Sequence, residues 1–105
     1  MRDFMGMMKQ AAQLQSKMQE MQAELDTIEV EGVAGGGMVA VTLTAKGALK
    51  GVRIDDSLIK PSDKEIIEDL IVTAHADARR KAEAVLAEKM KAVTGGLPLP
   101  PGLLG

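Results

Sequence analysis

A heptad pattern of apolar residues at the start of the chain most restricts what this sequence can fold into. The pattern runs from Phe4 to Ile28 with spacings that alternate between three and four residues. This spacing, kept for about three and a half heptads, is typical of a helix that packs along one side. We therefore predict a helix over residues 4–27 with Asp3 as its N-cap. The pattern consists of Phe4, Met7, Ala11, Leu14, Met18, Met21, Leu25 and Ile28.

A second long helix is predicted near the other end of the chain. Ser62 and Glu65 have the spacing of a capping box, and Pro61 precedes them. The apolar side of this helix, from Ile67 to Val93, is rich in alanine, which allows another backbone to approach closely. We expect the helix to end at Gly95–Gly96.

The two helices are too long for a compact body of this size. At about 1.5 Å per residue they span roughly 36 Å and 46 Å, whereas a compact chain of 105 residues has a radius of gyration of about 13 Å. The helices are therefore expected to project as arms. Their apolar stripes need cover that one subunit does not obviously supply, so we infer an oligomer, most simply a two-fold dimer.

Between the helices the apolar period changes to two, which indicates β-strands. Short turns separate three alternating runs, so we predict a three-stranded antiparallel meander. The expected fold class is α+β in the order α-β-β-β-α, with one domain over residues 1–96 and a Pro- and Leu-rich C-terminal tail at 97–105. Candidate dimer surfaces are one face of the sheet and the alanine-rich helix; the residues are Val39, Val41, Leu43, Ala74 and Ala78.

The tail has the sequence LPLPPGLLG. Its three prolines exclude a helix and favour an extended polyproline conformation. Two alternatives stay open at this point: a frayed end, or a strap that lies on this subunit or on a partner.

Composition excludes several classes of function. The chain has no cysteine and one histidine, so disulfides, thiol catalysis and His- or Cys-rich metal sites are excluded. No serine lies in a nucleophile elbow, and Gly35–Gly37 lacks the Lys-Ser/Thr of a phosphate-binding loop. We predict no enzyme, no cofactor and no small-molecule substrate.

Neither a membrane-spanning segment nor a secretory signal peptide is indicated. Phe4 is the one aromatic residue, so stacking of bases on aromatic rings is not available.

Charge is distributed unevenly along both helices. Residues 1–18 have a net charge of +2 and residues 19–31 of −5, whereas residues 62–77 have −4 and residues 78–91 have +3. Each helix is thus acidic where it meets the sheet and basic at the far end. If the helices pack antiparallel, their basic parts coincide, which gives an acidic body with basic arms. Clustered Lys and Arg side chains can bind the phosphates of duplex DNA by counterion release.

Several segments resemble the YbaB/EbfC family of bacterial nucleoid-associated proteins, and together they cover nearly the whole chain. They are MKQAAQLQSKMQEMQ, the glycines before VAVTLTAKG, VRID, DLIVTAHADARRKAEAVLAEKM and TGGLPLPPG. The chain departs from the family pattern at Asp56, where Pro is common, and at Ala76, where Asn is common. The resemblance implies a tweezer-like homodimer in the bacterial cytoplasm and nucleoid that binds double-stranded DNA, organises the nucleoid and affects gene expression.

The expected phosphate contacts are the basic residues of the two helices. None is an obvious base reader, so binding is expected to carry little sequence information. They are Arg2, Lys9, Lys17, Arg79, Arg80, Lys81, Lys89 and Lys91. The alternative is a protein-interaction adaptor that presents its Met-rich helix and the Pro-rich tail to a partner, because methionine repacks readily.

Overall fold

The computed structural model describes residues 3–94 and has the predicted order of elements. Helix α1 spans Phe4–Thr27, followed by strands β1 (Glu29–Ala34), β2 (Val39–Thr44) and β3 (Leu49–Ile54), and helix α2 spans Lys64–Thr94. Asp3 occupies the N-cap position of α1, but its side chain makes no capping hydrogen bond. The α+β class and the α-β-β-β-α order are therefore confirmed.

The three strands form an antiparallel sheet in the order β1-β2-β3. Gly32 lies opposite Val41 in the first pair, and Val52 lies opposite Val41 in the second. The link between β1 and β2 is tight because Gly35, Gly36 and Gly37 all have positive φ, at 62°, 67° and 94°. Glycine adopts this backbone conformation without the steric cost that a side chain brings, so the predicted meander is confirmed.

Two short 3₁₀ turns, Asp56–Leu58 and Pro61–Asp63, join β3 to α2. The Asp55 carboxylate accepts hydrogen bonds from the Ser57 backbone N–H at 3.0 Å and from the Ser57 hydroxyl, and these bonds lower the pKa of Asp55. Ser62 lies within the second turn, and α2 begins two residues later at Lys64. The predicted capping box is therefore wrong: the 3₁₀ turn and its proline precede the helix in its place.

The main core lies between α2 and one face of the sheet. Its centre is formed by Val39, Val41 and Leu43 from β2, each at most 1% exposed, and by Ala74 and Ala78 of α2, both at 0%. These are the five residues expected to form a dimer surface. In the structure they pack against each other within one chain and leave no exposed surface for a second copy. These five side chains are therefore part of the core of one chain.

The approach of α2 to β1 is close enough to require glycine. A Cβ atom built on Gly32 would lie 2.2 Å from the Ala74 carbonyl oxygen and 2.2 Å from the Ala78 nitrogen. The small side chains at 74 and 78 and the missing side chain at 32 thus let the two backbones meet. The close approach expected from the alanine-rich helix is therefore observed.

A second cluster joins the two helices. Met21 and Leu25 of α1 pack with Ala45 after β2, and Val85, Met90 and other partly buried side chains surround them. Glu24 pairs with Lys89, while Lys17 shares a cleft with Val93. The helices therefore run antiparallel, and the molecule is elongated, with extents of 72 × 24 × 16 Å and a radius of gyration of 19.5 Å. The projection of the helices beyond the sheet is as expected.

Candidate nucleic-acid interface

The basic run Arg79–Arg80–Lys81 lies beside the sheet and not at the far end of the arm. The helix turns on either side fix its position, because Ala78 packs in the main core and Ala82 is buried as well. The Lys81 ammonium donates to the backbone carbonyl of Glu31 in β1 at 2.8 Å. The side chains of Arg79 and Arg80 are 64% and 77% exposed. The sequence placed this run on the distal arm, and the structure places it at the edge of the body.

Asp77 organises this basic run. Its carboxylate accepts a hydrogen bond from the Val33 backbone N–H at 3.0 Å and forms ion pairs with Arg80 and, at 3.2 Å, with Lys81. The hydrogen bond from Val33 is the main cause that lowers the pKa of Asp77, and Lys81 adds to it. Asp77 and Lys81 thereby satisfy backbone groups on the open edge of β1 while they hold the basic side chains in place.

The other basic residues of α2 also have acidic neighbours. Arg79 lies 3.4 Å from Glu83, and Lys89 lies 2.8 Å from Glu24 of α1. All four side chains are at least 38% exposed. Exposed ion pairs contribute only about 0–1 kcal/mol each, so a phosphate group can replace these carboxylates at small cost. Lys91 lies in the last turn of α2.

The basic residues of α1 lie on the arm. Lys9 and Lys17 have no carboxylate within ion-pair distance among residues 3–94, and both residues are exposed. Lys17 lines the cleft between the helices with Glu24, Lys89 and Val93. Arg2 lies outside the described residues. The antiparallel packing thus brings Lys17 close to Lys89, whereas Lys9 lies further out along α1.

Apart from Arg2, the predicted phosphate contacts therefore form a row along the two helix axes and not a compact patch. From Arg80 to Val93 the rise along α2 is about 20 Å, and from Lys17 to Lys9 the rise along α1 adds about 12 Å. A row of about 32 Å can follow a duplex, which carries one phosphate charge per about 1.7 Å of its axis. Such a row suits contacts with the DNA backbone, which carry no sequence information directly.

The described residues were also compared with the requirements of a metal site and of a membrane-spanning helix. Over residues 3–94, no group of three or more His, Cys, Asp or Glu side chains could hold a metal ion. His75 is exposed on α2. No helix in this part of the chain has both the length and the apolar character needed to cross a bilayer.

Sequence reasoning missed the role of Asp77. Its spacing of three and four residues from Arg80 and Lys81 was visible and predicts ion pairs within the helix. The hydrogen bond from Val33 joins residues 44 positions apart, and no local pattern indicates it.

Comparison with known proteins identifies relatives over nearly the full length of the chain. The model of the YbaB/EbfC DNA-binding family matches residues 1–97. A nucleoid-associated protein of Bradyrhizobium sp. (strain ORS 278) is 70% identical over 102 residues, which cover 97% of this chain and 96% of that protein. A nucleoid-associated protein of Nitrobacter winogradskyi is 68% identical over 103 residues, which cover 98% and 97%.

A solved structure shares the fold. The crystal structure of an uncharacterized protein from Helicobacter pylori superimposes with a TM-score of 0.76 at 24% sequence identity, covering 89% of this chain and 98% of that one. At this identity the likeness concerns the fold alone.

Proposed function

Since the chain belongs to the YbaB/EbfC DNA-binding family, we propose that it binds double-stranded DNA mainly through the phosphate backbone. The observation that carries this proposal is the row of exposed cations from Arg79–Arg80–Lys81 along α2 to Lys17 and Lys9 on α1. Arg2, Lys89 and Lys91 complete the proposed set of contacts. With Phe4 as the one aromatic residue, the chain lacks the stacking platforms that hold single strands.

Charge contacts with phosphate explain how an acidic protein can bind DNA. The chain has a formal net charge of −2, but the side chains of Arg79, Arg80 and Lys89 are at least 38% exposed. The carboxylates of Glu83 and Glu24, which pair with Arg79 and Lys89, are exposed as well. When DNA binds, each phosphate exchanges with a weak surface pair and with the counterions of the duplex. Affinity should therefore depend steeply on salt and little on sequence.

We also propose a homodimer, and the edges of the sheet indicate where it forms. The open edge of β1 is occupied by Asp77 and Lys81. Within residues 3–94 no group bonds to the outer edge of β3, where Leu49 and Val52 are 60% and 44% exposed. An unpaired edge with exposed apolar side chains favours pairing with another strand. A two-fold dimer that forms through β3 would carry two cationic rows, one from each chain. The tweezer-like arrangement of the arms remains a prediction.

The direct test of the phosphate contacts compares two variants of equal charge. The first is Arg79→Gln/Arg80→Gln/Lys81→Gln, and the control is Lys50→Gln/Lys60→Gln/Lys64→Gln, whose lysines are also exposed but lie outside the proposed set of contacts. The slope of log affinity against log salt should fall by up to about 0.9 for each contact removed. We expect this flattening in the first variant alone. Equal slopes in the two variants would remove Arg79–Lys81 from the binding surface.

In the cell we propose a role in nucleoid organisation and gene regulation in the cytoplasm, because the relatives described above are named nucleoid-associated proteins. A fluorescent fusion of the full chain should overlap with stained DNA. The Arg79→Gln/Arg80→Gln/Lys81→Gln variant should spread through the cell. A variant that stays on the DNA would contradict binding through these residues.

The adaptor function remains the second candidate because of one observation. Phe4, Met5, Met7 and Met8 are 58–78% exposed at the start of α1, as a protein-binding surface requires. The tail that the adaptor would also use lies outside the described residues. An adaptor predicts DNA binding too weak to measure even at low salt, which separates it from the first proposal.

A further inference from the structure

The apolar stripe of α1 is covered over only half its length within residues 3–94. Met21 and Leu25 are 3% and 2% exposed, whereas Phe4, Met7 and Leu14 are 62%, 65% and 48% exposed. The stripe passes from buried to exposed where α2 ends, since Val93 of α2 shares a cleft with Lys17 and packs near Met21. We call residues 4–17 the bare half of α1.

The C-terminal tail, residues 97–105, follows at the point where the cover stops. Because α1 and α2 are antiparallel, the axis of α2 at Thr94 points towards the Phe4 end of α1. The bare half is about 21 Å long at 1.5 Å per residue. Nine residues in polyproline conformation span about 28 Å, so the tail can follow the bare half to its end.

The tail also has the right chemistry. It has no charged side chain, and four of its nine residues are leucine. A polyproline helix has three residues per turn, which places Leu97, Pro100 and Leu103 on one side. The exposed stripe it would meet is likewise uncharged, and its methionine can adapt to an irregular ligand. We propose that the tail packs in extended form along the bare half of α1 in its own chain and completes the arm.

Pairing with a second copy of α1 has weaker support. The positions that flank the stripe on the bare half are Met8, Gln10, Gln15 and Lys17, so no pair of opposite charges specifies a coiled coil there. Glu24, the next acidic flanking residue, already pairs with Lys89 of its own chain. By contrast, the two-residue link Gly95–Gly96 holds the tail near the stripe at an effective concentration of order mM.

A spin label tests the position of the tail directly. The chain has no cysteine, so Gly102→Cys supplies one labelling site in the full chain and leaves all four leucines intact. With the nitroxide attached, we expect the amide signals of residues 4–14 to broaden and those of β3 to stay sharp. A mixed sample, in which one copy carries the nitroxide and another the ¹⁵N, should show no broadening of residues 4–14.

A substitution series gives an independent readout. Replacing the four tail leucines with serine should speed amide exchange at residues 4–14 about tenfold or more, while Gly102→Ser should leave it unchanged. Unchanged exchange in β2 confirms that both variants are folded. Sharp signals at residues 4–14 in the labelled chain would overturn the proposal. Equal broadening in the mixed sample would overturn it too, since it assigns the contact to a second copy. Neither result bears on DNA affinity, so the two proposals fail separately.

Discussion

Gly32 is the position where one added carbon should do the most damage. In Gly32→Ala the new Cβ would lie 2.2 Å from two backbone atoms of α2 and 2.7 Å from a third, the Ala78 Cα. Ordinary contact begins near 3.4 Å, so α2 must move away from β1 by about 1.2 Å. The obstructing atoms belong to a helix backbone, which cannot rotate aside as a side chain can.

The expected cost follows from this geometry. Overpacking a core typically costs 1–3 kcal/mol, and a clash with backbone belongs at the upper end, so we expect about 3 kcal/mol. For a domain of this size about 4–8 °C is lost per kcal/mol, which lowers Tm by roughly 12–24 °C. The matched control is Gly51→Ala in β3, where a Cβ meets nothing within 4 Å. It should change stability by no more than about 0.5 kcal/mol.

Urea denaturation followed by far-UV circular dichroism at one protein concentration measures both variants, since the chain has no Trp or Tyr for fluorescence. Fixed concentration matters because dimer formation shifts apparent stability. A free energy of unfolding for Gly32→Ala within about 0.5 kcal/mol of that for Gly51→Ala would refute the close packing of α2 on β1.

Three further predictions concern single residues. Leu43→Ala should cost about 2–5 kcal/mol, because Leu43 is 0% exposed; a loss below about 1 kcal/mol in urea denaturation would contradict its place in the core. Gly36→Ala should cost about 1–2 kcal/mol because φ is +67° there, although a Cβ meets no atom within 4 Å; an unchanged Tm would contradict the left-handed turn. Val33 and Lys81 lower the pKa of Asp77, so its ionised form stabilises the fold above the ordinary pKa of about 3.9. This stabilisation is lost as pH falls through the lowered pKa. The stability gap between the wild type and Asp77→Asn should therefore close in acid, and urea midpoints that keep a constant gap over pH would contradict it.

The elements of this fold could be predicted because each has a local signal. The heptad from Phe4 to Ile28 specified α1, and its observed bounds are Phe4–Thr27. Glycine clusters marked the link between β1 and β2, where three consecutive positive φ angles occur. The predicted capping box at the start of α2 is wrong because Ser62 belongs to the 3₁₀ turn Pro61–Asp63, which precedes the helix.

Placement of side chains in space was less predictable. One alternating face of β2 was expected to meet a second subunit, but α2 of the same chain covers it. Periodicity identifies an apolar face without telling which element packs on it. Arg79–Lys81 was assigned to the distal arm for the same reason. The flanking residues Ala78 and Ala82 are the signal that could have placed it on the body, because small residues at helical spacing mark the side of closest packing.

The central proposal is that this chain binds duplex DNA through the phosphate backbone of the DNA. One titration tests this proposal most directly. The protein is added to two labelled duplexes of unrelated sequence at several salt concentrations, and anisotropy reports binding. Each duplex has about 40 base pairs, or about 136 Å at 3.4 Å per pair, which exceeds the 72 Å length of one chain. We predict similar affinity for both sequences and a linear fall of log affinity with log salt. Tight binding to one sequence alone, or no binding at low salt, would contradict the claim.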